Sequence, residues 1–130
     1  MTPKKQINII IPKGINIWPH ELKTAQALAN AGYNVEFLKT NNLSHSKSPD
    51  IKINELKWEI KSPKTDKLSA IERNLKRATK QSANIIIDSQ RMSKLHDSTI
   101  QRMLIKKLNQ QKAIKNIIFI NRKRQVIDIV

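Results

Sequence analysis

The chain is 130 residues long, 38% apolar and without cysteine. That fits a single domain over residues 1–130 and excludes both a disulfide framework and any cysteine-ligated zinc or iron–sulfur centre. Its 25 lysines and arginines against 10 aspartates and glutamates give a net charge of +15 and a pI near 10.4, so a polyanion, nucleic acid first, is the expected partner. No run reaches the roughly 18 to 20 apolar residues of a membrane span, Met1 to Lys5 does not open a signal peptide, and the positive charge is spread along the chain, so no membrane partner is expected.

Gln6 to Ile17 reads as β structure broken by Pro12-Lys13-Gly14, which predicts a short N-terminal hairpin. Pro19 suits the first position of a helix over 19–31, with Leu22, Ala25, Leu28 and Ala29 at helical spacing and Gly32 as its stop. Tyr33 to Leu38 alternates as a strand, and Lys39 to Ser48 is a polar loop.

Pro49 to Lys61 alternates polar and apolar residues on both sides of Asn54-Glu55, the pattern of a hairpin with a two-residue loop. Counting outward, Ile53 opposes Leu56, Lys52 opposes Lys57, Ile51 opposes Trp58 and Asp50 opposes Glu59. Ile51, Ile53, Leu56, Trp58 and Ile60 then share one face, while Asp50, Glu59 and Lys61 share the other. Directly opposed residues have Cβ atoms about 4.5 to 5.5 Å apart, where two carboxylates repel unless a cation lies between them. A divalent metal would resolve that conflict.

A helix follows over about 67–82, its apolar stripe Leu68, Ile71, Leu75 and Ala78 backed by the basic surface of Arg73, Lys76, Arg77 and Lys80. Asn84 to Asp88 is a buried strand. Ile100, Leu104 and Leu108 stripe a third helix near 97–111, and Ile117 to Ile120 and Val126 to Val130 are two closing strands around the turn Asn121 to Arg124.

The order helix with Glu21, strand, hairpin with Pro49-Asp50 and Glu59-Ile60-Lys61, helix, strand resembles the αβββαβ core of the PD-(D/E)XK nuclease superfamily over residues 19–88. More narrowly, His20-Glu21-Leu22, the Pro-Asp hairpin, the Glu-Ile-Lys-Ser strand and a helix ending Lys80-Gln81 before Ile85 to Asp88 look like nuclease toxin domains of contact-dependent growth inhibition systems. The resemblance implies an α/β restriction-endonuclease-like fold with a mixed central sheet flanked by helices. It also implies that Asp50 and Glu59 hold the metal, that Glu21 completes the site, that Lys61 positions the attacking water, and that Gln81 joins the basic helix face on nucleic acid. By the same resemblance the substrate is tRNA and an acidic immunity protein silences the enzyme. The toxin would act in the bacterial cytoplasm after delivery as the C-terminal part of a secreted or cell-surface protein.

The chemistry is coherent for these residue types: Mg²⁺, with Mn²⁺ or Zn²⁺ as substitutes, needs only one or two carboxylates plus waters and phosphate oxygens, and it acidifies bound water and neutralises charge at phosphorus. Lys61, two residues after Glu59 on the same face, can donate to a phosphate oxygen or orient water. Each residue also has a plainer reading. Glu21 can merely favour the helix dipole, Glu59 and Lys61 can be a solvated sheet face, and the helix bases can face only water. His20, His45 and His96 show no metal spacing, and Trp18 and Trp58 read as core or hairpin cover. Three functions stand in order: a metal-dependent nuclease, as a tRNA-cleaving toxin or a mobile-element DNA nuclease; a noncatalytic basic nucleic-acid-binding protein; and a metal-independent ribonuclease using His20 or His96.

Overall fold

The computed structural model describes residues 8–38 and 50–130. The expected loop at 39–48, with His45, and Pro49 lie outside the described residues. In chain order the elements are β1 (Ile9–Ile10), α1 (Pro19–Asn30), β2 (Val35–Phe37), β3 (Asp50–Ile53), β4 (Leu56–Lys61), α2 (Leu68–Ala78), β5 (Asn84–Asp88), α3 (Asp97–Gln110), β6 (Asn116–Ile120) and β7 (Val126–Ile129). The strands form one sheet in sequential order β1 to β7. It is mixed: β1 with β2 and the run β4, β5, β6 are parallel, whereas β2 to β3, β3 to β4 and β6 to β7 are antiparallel. The fold is α/β, and among the described residues no helix is long and apolar enough to cross a membrane.

The hairpin register is the one the alternation predicts, with Asp50 paired to Glu59, Ile51 to Trp58, Lys52 to Lys57 and Ile53 to Leu56. Asn54 and Glu55 both have positive φ, 50° and 67°, as a two-residue type I′ turn requires. Helix α1 starts on Pro19 and ends in a Schellman motif: Gly32, at φ 100°, donates to the Ala29 carbonyl and Tyr33 to that of Leu28. Glycine takes that left-handed conformation without a Cβ clash.

Alternation along β4 and β5 gives the sheet two apolar faces. Ile51, Trp58, Ile60, Ile86 and Ile118 pack against Ala25 and Leu28 of α1. Ile85, Ile87, Ile117 and Phe119 pack on the other side with Ile71 and Leu75 of α2 and Ile100 and Leu104 of α3. Strand β5 is thus covered on both faces, which is why it reads as an unbroken isoleucine run. Truncating a buried isoleucine such as Ile86 to alanine is expected to cost about 2 to 5 kcal/mol.

The structure departs from the sequence reading in several places. Of the expected Gln6 to Ile17 hairpin, Gln6 and Ile7 lie outside the described residues, and among the described ones there is no hairpin: the two-residue β1 pairs in parallel with β2, a long-range pairing that local patterning cannot signal. Helix α2 stops at Ala78, four residues early: Lys80 and Gln81 tighten the chain with i→i−3 bonds to the Arg77 and Ala78 carbonyls, and the Ser82 hydroxyl donates to the Lys57 carbonyl on β4. Leu56 shares the apolar face in register but is 47% exposed, since it sits beside the turn. Trp58 is buried at 7% exposure, as expected, while Trp18 is 65% exposed and belongs to no core.

Candidate active site

Strand β4 carries Glu59 and Lys61 to one face by alternation, the face opposite Ile60. Glu59 is 0% exposed, and Lys61 Nζ stands 3.5 Å from its Oε2. A solvated sheet face is therefore the wrong description of this pair. Removing a carboxylate from water costs several kcal/mol unless charge is returned to it, and Lys61 returns one unit. Asp50 is the cross-strand partner of Glu59 in the backbone register, so the hairpin brings two acids to one rung. Among the described residues no three histidine or acidic side chains converge as a ready-made metal cage; the donor set on the hairpin is the Asp50 and Glu59 pair, which suits a hard ion that keeps waters of its own.

Because β4, β5 and β6 are parallel, they all end at one edge, and helix α1 starts there. Carboxyl ends of parallel strands are where open α/β sheets place ligands. Glu21, expected to complete the acidic set, stands on α1, which covers the face opposite Glu59. Its Oε1 accepts the Trp18 N–H at 2.9 Å, half of a capping box across the first helical turn. Burial raises the Glu21 pKa, opposed by that hydrogen bond and by Arg91. Glu21 thus caps the start of α1 in this structure, at the sheet edge where β4, β5 and β6 end.

The sequence reading missed a second buried acid, Asp88, at the end of β5. It is 0% exposed, and its two oxygens accept five hydrogen bonds. Oδ1 takes the Gln90 N–H at 2.9 Å and Arg124 Nη1 at 2.8 Å; Oδ2 takes the Thr24 hydroxyl, Gln90 Nε2 at 2.9 Å and Arg124 Nη2 at 3.0 Å. Arg124 also donates to the Lys23 carbonyl and holds a left-handed backbone, φ 65°, a conformation an arginine adopts only under constraint. This network fastens α1 to the strand ends and to the β6–β7 turn. An aspartate directly after the run Ile85-Ile86-Ile87 was the one available signal.

Gln90 extends the network by donating to the His20 carbonyl at 2.8 Å. The His20 pKa is lowered, first by burial and then by Arg91 and Lys64, with Asp88 pulling the other way, so the imidazole is neutral at pH 7. Arg91 donates from both Nε and Nη2 to the Ser62 carbonyl, directly after Lys61. His96 lies elsewhere, exposed at the N-cap of α3. Arg73, Lys76, Arg77, Lys80 and Gln81 are all exposed along α2 and the turn that follows it, which leaves that face accessible to a phosphate backbone.

The sequence profile of the contact-dependent growth inhibition CdiA C-terminal domain matches residues 47–126, the hairpin and everything after it up to β7. Among solved structures, the chain is similar to the CdiA-CT/CdiI toxin and immunity complex from Burkholderia pseudomallei, with a TM-score of 0.66 and 20% identity over 93% of this chain and 98% of that one. At that identity the likeness is one of fold. No curated protein matches the sequence.

Proposed function

The chain belongs to the contact-dependent growth inhibition CdiA C-terminal domain family, a family of bacterial toxin domains delivered as part of a secreted protein, and we propose that it acts as a metal-dependent nuclease of PD-(D/E)XK type that cleaves tRNA. The observation that carries the reading is the fully buried Glu59 placed in register with a second acid, Asp50, and followed two residues later by Lys61. Two opposed acids weaken a hairpin; holding a divalent cation explains why both are there. Asp50 and Glu59 would hold Mg²⁺, which supplies an acidified water and a counter-charge for the phosphate. Lys61 is placed to donate to a phosphate oxygen or to orient that water. The element order α1, β2, β3, β4, α2, β5 supports the superfamily assignment, and the +15 charge supports a nucleic-acid substrate. The solved neighbour is a toxin bound to its immunity protein, which supports an immunity partner here, acidic to match this surface.

The test is incubation with total tRNA and with duplex DNA, each with Mg²⁺ or EDTA, for wild type, Asp50→Asn and Glu59→Gln. Cleavage of tRNA in Mg²⁺ by wild type alone is expected, together with a Mg²⁺-dependent rise in melting temperature that both variants lose. Wild-type turnover by either variant would sink the site. The neutral, half-buried His20 beside Arg91 favours a metal-independent ribonuclease as the second reading, and activity that survives EDTA but not His20→Ala would establish it.

A further inference from the structure

Trp18 is 65% exposed in a chain that has only five aromatic residues, while Trp58 is buried. Its hydrogen bonds at the helix start run through the backbone. It is the N-cap of α1, its N–H donating to Glu21 Oε1 and its carbonyl accepting from Glu21 and Leu22, and the indole makes no capping bond. A large apolar ring left in water at a helix start is free to do something else.

The surroundings say what. Two residues on, the His20 imidazole lies in the fields of Arg91 and Lys64. The Arg91 guanidinium is mounted on the Ser62 carbonyl by two hydrogen bonds, and Lys61 immediately precedes Ser62. An exposed indole thus stands at the start of the helix whose first turn, His20 and Glu21, lies in the field of a fixed planar cation, with Lys61 and Lys64 flanking the carbonyl-bearing segment. An indole stacks any nucleobase whose face is free, and a guanidinium pairs with phosphate oxygens in a planar fork. Paired bases hide their faces in the duplex, so the chemistry selects an unpaired nucleotide.

We propose that Trp18 and Arg91 form a nucleotide subsite in which Trp18 stacks an unpaired base and Arg91 holds the adjoining phosphate of a single-stranded or loop segment. The subsite deepens the nuclease reading of the same sheet edge and rests on it for its purpose. Both RNA and DNA offer an unpaired base next to a phosphate, so the two are separate arms of the test.

Trp58→Phe leaves Trp18 as the sole indole. Its fluorescence is titrated, in EDTA to prevent metal-dependent cleavage, with a short unpaired RNA, the DNA of the same sequence and the corresponding duplexes. Saturable quenching by single strands and little by duplex is expected. By fluorescence anisotropy of labelled RNA, Trp18→Ala should weaken binding about 5- to 150-fold, the range for losing one stacked base, and Trp18→Phe should recover most of it. Arg91→Ala should lower the slope of log K against log salt by about 0.7, one phosphate interaction. If Trp58→Phe does not fold, acrylamide quenching of the wild type reads the exposed indole instead, and bound RNA should protect it. Quenching absent, or equal with duplex, or full affinity in Trp18→Ala overturns the subsite. Quenching without any metal-dependent cleavage keeps the subsite and overturns the nuclease reading; metal-dependent cleavage indifferent to Trp18→Ala does the reverse.

Discussion

Replacing Asp88 by asparagine keeps the side-chain shape and removes one charge and one acceptor atom, so it probes the buried network with little change in packing. Five donors converge on the carboxylate. Whichever way the amide is turned, its NH₂ must face either Gln90 N and Arg124 Nη1, or Thr24 Oγ1, Gln90 Nε2 and Arg124 Nη2. The first orientation leaves the Gln90 N–H without its acceptor, the second throws the Thr24 hydroxyl, Gln90 Nε2 and Arg124 Nη2 back on the His20 and Lys23 carbonyls, and in both the charge-assisted fork to Arg124 disappears. Thr24 is fully buried and Arg124 keeps only a third of its side chain in water, so the cost falls in the range for breaking a buried ion pair by removing one partner, about 3 to 5 kcal/mol. Against a total stability of about 5 to 15 kcal/mol that is a large fraction, and for a chain of this length it lowers the melting temperature by roughly 10 to 20 °C. Urea and thermal denaturation followed by circular dichroism at pH 7 measure it directly. Arg124→Ala and the double variant complete a cycle, with a coupling of about 1.5 kcal/mol or more between the two residues expected. If Asp88→Asn falls within about 0.5 kcal/mol of the wild type, or the cycle is additive, the network does not fasten α1 to the strand ends, and apolar packing alone holds the helix on the sheet.

The remaining expectations are shorter. Lys61→Ala should reduce kcat far more than it raises Kd for tRNA, since one lysine among 25 basic residues adds little to the overall field; equal losses would make Lys61 a phosphate anchor instead. Replacing Arg73, Lys76, Arg77 and Lys80 together by alanine should flatten the salt dependence of RNA binding by about 0.7 for each phosphate that one of these cations had neutralised, and an unchanged slope assigns that face to solvent. Asp66 accepts the backbone N–H groups of Ser93, Lys94 and Leu95, which hold its pKa down to about 2. Its stabilising effect is therefore complete above its ordinary value of 3.8 and disappears as pH falls through about 2. The gap in melting temperature between wild type and Asp66→Asn should hold steady from pH 7 to 5 and shrink between pH 4 and 2; a gap that widens on acidification contradicts this.

What could be read from the amino-acid order divides by the range of the interactions involved. The β3–β4 hairpin was legible to the residue because a two-residue turn fixes the register and a slip by one would expose Ile51, Ile53, Trp58 and Ile60 together. The rung that pairs Asp50 with Glu59 follows from that alone. Helix α1 was legible to within one residue because proline and glycine mark its ends. The Asp88 network was not, since its partners lie 64 residues away at Thr24 and 36 away at Arg124, and nothing local tells a buried aspartate from one at a strand mouth. The parallel pairing of β1 was invisible for the same reason. Trp18 misled in a different way: hydrophobicity predicts burial, but a residue at a helix N-cap has its side chain placed by the entry of the chain rather than by the helix stripe.

The molecule thus contains two aspartate or glutamate side chains at 0% exposure among the described residues, Glu59 and Asp88, and the proposed nuclease reading gives them opposite work. Asp88 has a permanent counter-ion and five donors on two oxygens, more than the roughly four lone-pair sites a carboxylate offers. It has no acceptor capacity left for a metal, although it ends a parallel strand at the edge where ligands usually bind. Glu59 sits on a rung with another acid and beside a lysine at ion-pair distance, an arrangement that adding a cation improves and that removing one worsens. Placing the metal at Asp88 would require breaking the Arg124 fork and freeing α1; placing it at Asp50 and Glu59 requires no described hydrogen bond of the Asp88 network to break. On the proposed metal-dependent reading, Asp88 therefore holds the scaffold and the Asp50–Glu59 rung of the hairpin holds the cation.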